Sequence, residues 1–402
     1  MRVSTNQIFR SGTESIQRTQ QELSRTQAQL GSGKRMLSPA DDPSGAVQAL
    51  QFRSGIEKLD QYQRNGQMLE QRLRSSETVL TSVVDGLQRV RELALQGNNG
   101  TQTSETRGFI AGEIRQALDE LHQLANSRDA NGEYLFAGLR SLTQPFSLGA
   151  GGQVEYAGDA GQRELQISAV RKVALGDSGS RAFMDIPNGN GTYFVQDDAG
   201  NRGTGVIDAG SLVGPWVPDD YSIVFSEADG QLRYEVLGAG DPPVSVAGPA
   251  AFQAGEAIAF AGVKVSIQGR PEPGDRFTVA SSENQDLFAT YRQLAEALEA
   301  PVSDGASRAS LNNAVNRALG DLDQGLGRLL EVRTSLGARL NTVETQNRIN
   351  SEQIFQLQSS LSDVEDLDYA EAISRFNLQQ TALQAAQQTF VQVQRLSLFN
   401  FL

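Results

Sequence analysis

Few side chains in this sequence could do chemistry, and their spacing fits no common catalytic or metal-binding pattern. The single histidine, His122, lies between Leu121 and Leu124 in a helical stretch and has no Glu-x-x-His context. The absence of cysteine excludes thiolate zinc sites and thiol nucleophiles. The sequence also lacks a Gly-rich phosphate-binding loop of the Walker type. We therefore predict a protein that is not an enzyme and that needs no cofactor or metal.

Two acidic groups could be interpreted as sites. Asp41 and Asp42 are adjacent carboxylates, but they precede Pro43 at a helix start, where capping explains them better than acid–base catalysis. The run Asp197-Asp198-Ala-Gly200-Asn201 lacks the alternating acids and the closing Glu of a calcium loop. Both groups are predicted to be structural.

Composition excludes further classes of protein. The chain has 402 residues, a net charge of -13 and a pI near 4.8, which argues against nucleic acid as a partner. It contains no run of 18 apolar residues, so no transmembrane helix and no membrane partner are expected. The first 30 residues lack the apolar block and cleavage site of a secretory signal peptide. If the protein is exported, its route leaves the N-terminus intact.

The two ends of the chain carry matching thin apolar stripes, which would position any shared binding surface. Apolar residues recur every seventh position near the N-terminus, at Phe9, Ile16, Leu23 and Leu30. The final helix repeats the seven-residue spacing at Tyr369, Phe376, Leu383 and Phe390, with Val393 in the second row of the seam, and then carries Leu396, Leu398 and Phe399. Stripes this narrow cannot support an isolated helix, so each arm needs a partner helix.

Between the N-terminal arm and the next helix, the predicted hinge contains several helix-breaking residues. Its members are Gly33, Pro39, Asp41, Asp42 and Pro43. Long amphipathic helices follow, over about 44–96, 104–126 and 306–364. In the last of these, positions alternating by four and three from Leu326 to Val364 are mostly apolar, which predicts packing against other long helices.

The middle of the chain has a different composition. Residues 141–280 hold 22 of the 40 glycines, nine of the twelve prolines, and 17 acidic against nine basic residues. Eight short runs there predict strands, and Asp229-Gly230 between two of them predicts a hairpin. Trp216, Tyr193 and Tyr221 could form a sugar-binding platform, but a role in the apolar core of this domain is favoured.

These patterns predict an α+β multidomain fold, in which both chain ends form a long helical bundle or coiled-coil rod and an all-β domain is inserted between the helical halves. The predicted arms are residues 1–40 and 366–402, which we expect to be disordered in the monomer. The predicted rod comprises 41–140 and 281–365, and the acidic, surface-exposed β domain comprises 141–280.

Several motifs resemble the flagellin superfamily of bacterial flagellar axial proteins. They are Met1-Arg-Val-Ser-Thr5, Gly33-Lys-Arg35 followed by Pro39-Ala-Asp-Asp-Pro43, Leu87-Gln-Arg-Val-Arg-Glu-Leu-Ala94, and Asp129-Ala-Asn-Gly-Glu-Tyr-Leu-Phe-Ala-Gly138. The resemblance covers about 1–146 and 281–402. The ending Leu398-Phe-Asn-Phe-Leu402 differs from the Leu-Leu-Arg type common in flagellins, which favours a hook–filament junction subunit over a filament subunit.

The resemblance implies a structural protein of the extracellular flagellum, exported by the flagellar type III system without a cleaved signal. It implies assembly into a ring of eleven copies between a neighbouring hook-associated junction protein and flagellin, with a cytoplasmic chaperone on the C-terminal arm. It places Arg89, Arg91 and Leu95 on an inter-subunit surface of the rod. Two alternatives stay open: a filament subunit of the same superfamily, and an extracellular adhesin that binds glycans through the β domain.

Overall fold

The computed structural model describes residues 5–149 and 151–399, and six α-helices account for most of them. The helices are α1 (Thr5–Ser32), α2 (Pro43–Gly97), α3 (Ser104–Ala125), α4 (Leu287–Glu299), α5 (Gly305–Glu365) and α6 (Tyr369–Phe399). At about 1.5 Å per residue, α5 extends for about 90 Å. The predicted helices are confirmed. Helix α4 was not predicted from the sequence, and Pro301 separates it from α5.

Local signals explain the helix ends. Thr103 caps α3 through a reciprocal capping box with Thr106, and the Asp286 side chain caps α4 by accepting from Ala289 N. Helix α2 ends at Gly97, one position beyond the end predicted near residue 96.

The contacts divide the chain into two compact units, which we describe separately. Residues up to 65 and from 345 onward form the first unit, and residues 66–344 form the second. Helices α2 and α5 each contribute residues to both. The limits of 40, 141, 280 and 366 predicted from the sequence for the arms, the rod and the β domain stay a prediction.

The second unit contains two separate apolar cores. The helical core combines buried residues of α2–α5 with Phe146, Phe183 and others from residues 135–186. Short antiparallel strand pairs build that segment: β1 (Phe146–Leu148) with β2 (Val154–Tyr156), and β3 (Glu164–Gln166) with β4 (Lys172–Ala174). The first part of the predicted β insert thus packs on the helices.

Residues 193–281, named here the β module, enclose the other core. A five-stranded antiparallel sheet has the order β11 (Val244–Ala251), β10 (Gln231–Gly238), β9 (Tyr221–Ala228), β14 (Arg276–Ser281), β6 (Tyr193–Asp197). A second sheet contains β12 (Ala257–Phe260), β13 (Val263–Gln268), β7 (Val206–Ile207) and β8 (Ser211–Leu212). All eight predicted strands of the insert are present.

The predicted hairpin joins β9 and β10. Asp229 and Gly230 have φ values of 55° and 73°, the left-handed pair that a two-residue hairpin turn requires. The edge strand β11 was not predicted. Its register with β10 shifts twice, and it contains Pro249.

A two-stranded neck connects the β module to the helices. The incoming strand β5 (Ile186–Pro187) pairs with the outgoing strand β15 (Asn284–Gln285). Beyond this pair, Asn188 N donates to Glu283 O at 2.9 Å, and the Ser282 hydroxyl donates to Asn188 O at 2.7 Å. Chain entry and exit are therefore held side by side.

Candidate assembly interface

The arm pair, α1 with α6, brings together the stripes predicted at the two chain ends. Phe9 and Phe390 meet edge-to-face with ring centroids 5.9 Å apart, and Ile16 and Val393 line the same groove. Farther along, the Thr26 hydroxyl donates to Gln379 Oε1 at 2.8 Å. Leu23, Leu30, Phe376 and Leu383 are half-buried at the other heptad positions. The arms, which we expect to be disordered in a monomer, are thus helical and paired within one chain in this structure.

A glycine permits the closest approach in this pair. A Cβ on Gly12 would lie 2.9 Å from the Phe390 ring, a distance that real Cβ atoms do not adopt. Each arm helix buries only one stripe, so α6 still exposes Ile373, Leu378 and Val391 on other faces. The last predicted arm residues, Leu396, Leu398 and Phe399, have side chains outside the part of the chain that the structure describes.

The segment predicted as a hinge forms a hydrogen-bonded turn, named here the elbow (residues 33–43 with 365–368). Gly33 ends α1 with φ +70°, a conformation that favours glycine. Leu367 N donates to Gly33 O at 3.0 Å, and Arg35 N donates to Glu365 O at 2.8 Å. These bonds tie the start of the chain to the end of α5. Pro39 is exposed in the turn.

Carboxylates hold the elbow in shape. Asp41 accepts from Leu37 N and Ser38 N, and also pairs with Arg25 at 2.6 Å. Asp42 caps α2 by accepting from Gly45 N at 2.9 Å, and Pro43 is the first residue of that helix. The two carboxylates therefore act as structural caps.

Glu365 is the buried centre of the elbow, and no sequence signal indicated it. Lys34 and Arg53 contact its carboxylate at 2.6 Å and 2.5 Å. Burial alone would raise the pKa of Glu365, but these hydrogen bonds and charges outweigh burial and lower it. Its partners lie more than 300 positions away in sequence, so no short-range pattern could reveal the contact.

The electrostatics predict that the elbow loosens in acid. The pKa of Asp41 is lowered chiefly by the Ser38 backbone hydrogen bond, that of Asp42 chiefly by the Gly45 bond, and that of Glu365 as described. A carboxyl with a lowered pKa in the folded state stabilises that state above its unfolded pKa of about 4, and the effect fades as pH falls further. Amide exchange at Arg35 and Leu367 should therefore accelerate below about pH 4, after correction for intrinsic rates. A Glu365→Gln variant should lose part of this pH dependence, and an unchanged profile would contradict the assignment.

The residues expected on the rod surface, Arg89, Arg91 and Leu95, all lie exposed on α2. Arg89 pairs with Glu113 of α3 at 2.7 Å, and Arg91 Nε donates to Asp323 of α5 at 3.0 Å. The two arginines thus already balance acidic groups of their own chain. The apolar surface here belongs to Leu95, which is half exposed.

The aromatic trio of the β module forms part of its core. Tyr193 and Tyr221 are buried, and Trp216 packs between them with ring centroids 5.5 Å from each. The predicted core role is therefore confirmed for Tyr193 and Tyr221, and Trp216 is half-buried against them. His122 lies beside the Phe288 ring, 6.3 Å between centroids.

In the described part of the chain, no group of three or more His, Asp or Glu side chains is arranged to hold a metal ion. None of the helices described is long and apolar enough to cross a membrane.

Comparison with known proteins places these features in context. Residues 3–141 match the bacterial flagellin N-terminal helical region, and residues 319–402 match the bacterial flagellin C-terminal helical region. Flagellar hook-associated protein 3 of Escherichia coli K12 is 26% identical over 401 residues, covering 100% of this chain and 99% of that protein.

Solved structures of flagellar hook-associated proteins are also similar to this chain. The crystal structure of flagellar hook-associated protein 3 from Legionella pneumophila has a TM-score of 0.75 and 32% identity, covering 78% of this chain and 98% of that one. The flagellar junction protein FlgL of the same species has a TM-score of 0.71 and 31% identity, with coverages of 79% and 99%.

A Salmonella berta flagellin is 27% identical in sequence, but the match covers only 57% of this chain and 46% of the flagellin.

Proposed function

Because the chain belongs to the bacterial flagellin family, we propose that it is a structural subunit of the flagellum that joins the hook to the flagellin filament. The observation that carries this proposal is the arm pair: stripes from opposite ends of the chain meet, yet α6 keeps apolar side chains exposed. Relatives matched over nearly their whole length bear the names hook-associated protein 3 and flagellar junction protein. The fold class and the family resemblance predicted from the sequence are confirmed.

The mechanism we infer is association that completes the folding of the arms. A pair of helices sharing one stripe buries little apolar surface, so it is marginal by itself. Burying an exposed side chain such as Leu378 against a neighbouring copy contributes about 1.5–3 kcal/mol. Several such contacts in each copy would offset the conformational entropy of ordering the arms.

The partners of this assembly follow from the same proposal. They are further copies of the chain, a neighbouring hook-associated junction protein, and flagellin. A ring of eleven copies, a chaperone on the C-terminal arm, and export by the flagellar type III system without a cleaved signal are the finer parts of it. A structural role also accounts for a chain with one histidine and no cysteine, and no enzymatic activity is proposed.

Deleting the gene in its own host tests the proposal. Cells that lack a junction subunit should carry bare hooks and release unpolymerised flagellin into the medium, as seen by electron microscopy and by blotting of the medium. Expression of the intact chain should restore filaments. Normal filaments on the deletion strain would contradict the proposal.

The filament-subunit alternative makes a different prediction. A flagellin should polymerise by itself into long filaments when the purified chain is concentrated, whereas a junction subunit should not. The partial match to flagellins disfavours this alternative. The glycan-binding alternative is disfavoured because two of its three aromatic residues are buried in the core.

A further inference from the structure

The β module is attached to α5 without a shared apolar core. The core of the module and the helical core have no member in common among the described residues. Interfaces between domains that are small and polar normally allow relative motion. A fixed orientation of the module on the helix therefore requires contacts other than a shared apolar core.

A row of polar residues on one face of α5 contacts the β module directly. Its members, Asn313, Arg317 and Asp321, are spaced by four residues, so they lie one above another along the helix. At about 1.5 Å per residue, the row covers about 12 Å of helix. We name these three residues the docking row.

Asn313 recognises the backbone beside β7 from both sides. Its Nδ2 donates to Gly205 O at 3.0 Å, and its Oδ1 accepts from Ile207 N at 2.9 Å. The side chain is buried, so losing either bond would leave polar groups without water. This bidentate contact fixes both the position and the direction of the strand.

The other two members hold different elements. Asp321 is buried and accepts from Gly189 N, two residues beyond β5, at 2.8 Å, and from Gln285 Nε2 of the neck strand β15 at 3.4 Å. Arg317 lies 3.6 Å from the Asp197 carboxylate at the end of β6. The docking row thus contacts β7, β6 and the neck, which are three separate points of the module and its connection. Contacts with several separate segments restrain the orientation of the module more than the neck alone would.

We propose that the docking row fixes the orientation of the β module on α5, and that the module swings as a folded body when the row is broken. Asn313 and Asp321 are positioning residues in this assignment. The neck alone is a pair of short strands, which joins the module to the helices at one place. Hydrogen bonds are directional, so the row adds angular restraint that an apolar contact of equal size would not supply.

Distance measurements between two spin labels test this inference. The natural chain has no cysteine, so Glu227→Cys in the module and Ala338→Cys on α5, both exposed positions, allow specific labelling. Double electron–electron resonance spectroscopy should give one narrow distribution of label-to-label distances for the protein with no further substitution. Asn313→Ala combined with Asp321→Ala should broaden it or add a second distance.

Two matched variants serve as controls. Asn316→Ala removes an exposed amide from the same helix and should leave the distribution narrow. Asp321→Asn keeps an acceptor for Gly189 N and should also leave it narrow. The single tryptophan, Trp216, lies against the module core, so its fluorescence during urea unfolding reports whether the module stays folded in each variant.

These measurements distinguish an orientation fixed by the docking row from one fixed by the neck alone. A broadened distribution with an unchanged Trp216 transition supports a docking row. A distribution that stays narrow in the double alanine variant would show that the neck fixes the orientation, and would overturn the proposal. If the double variant shifts the Trp216 transition, the Asp321→Ala variant, which alters only the contacts of the row with the neck, decides by the same distance criterion.

Discussion

Replacing Arg72 with leucine is expected to lower the free energy of unfolding of the unit formed by residues 66–344 by about 3–5 kcal/mol. The Arg72 side chain is only 9% exposed, contacts the buried Asp129 carboxylate, and donates to Tyr134 O at 2.9 Å. Without the guanidinium, the carboxylate would stay buried without its cation. Urea unfolding followed by circular dichroism measures the loss.

Arg74 provides the control two positions along the same helix. It pairs with Glu70 and Glu344, but it is mostly exposed, so Arg74→Leu should cost at most about 1 kcal/mol. Adding Asp129→Asn to Arg72→Leu should recover part of the loss, because the stranded charge is removed. Equal losses for Arg72→Leu and Arg74→Leu would contradict the buried ion pair.

Introducing aspartate at Leu383 is expected to separate the arm helices. Leu383 is half-buried in the stripe of α6 that faces α1, and a charge there costs about 2 kcal/mol. If the free protein keeps the arm pairing of this structure, amide protection in both arms should fall by roughly tenfold or more in hydrogen exchange on the free protein. If the unmodified arms already exchange at intrinsic rates, pairing in the free monomer is contradicted and the expectation of disordered arms stands.

Leu378→Asp is the matched variant on an outer face of the same helix, where the side chain is 72% exposed. It should leave exchange in the free protein unchanged but reduce incorporation into flagella, because the proposed assembly buries that face. Normal filament formation by this variant in the deletion strain would show that Leu378 is not part of the contact surface.

Much of the fold was predictable because the periodicity is strong. The heptads of α1 and α6 repeat apolar residues at seven-residue steps, the seam of α5 does so at three- and four-residue steps, and burial follows those steps. The Asp229-Gly230 turn was predictable because few residues adopt left-handed conformations. Strand β11 was missed because Gly248 and Pro249 interrupt any alternation.

Other features depend on contacts that no short segment encodes. Phe146 and Phe183 belong to the helical core, although their segment has the composition of the β insert. Glu365 and the docking row act through partners far away in sequence, and their own residue types are ordinary for a helix surface. For the arms, heptad spacing identified the stripes, whereas the interior contacts of the elbow required the structure.

The edge strand β11 affects whether copies of the chain can pair through their sheet edges when they lie close together. An edge strand that exposes Val244 and Val246 would ordinarily be a template for pairing with the same strand of another molecule. Here Pro249 offers no N–H to an incoming strand, and the two register shifts bend the edge away from a flat ladder. The module should therefore resist aggregation through its sheet edge at high local concentration, so that attraction between copies is left to the helices.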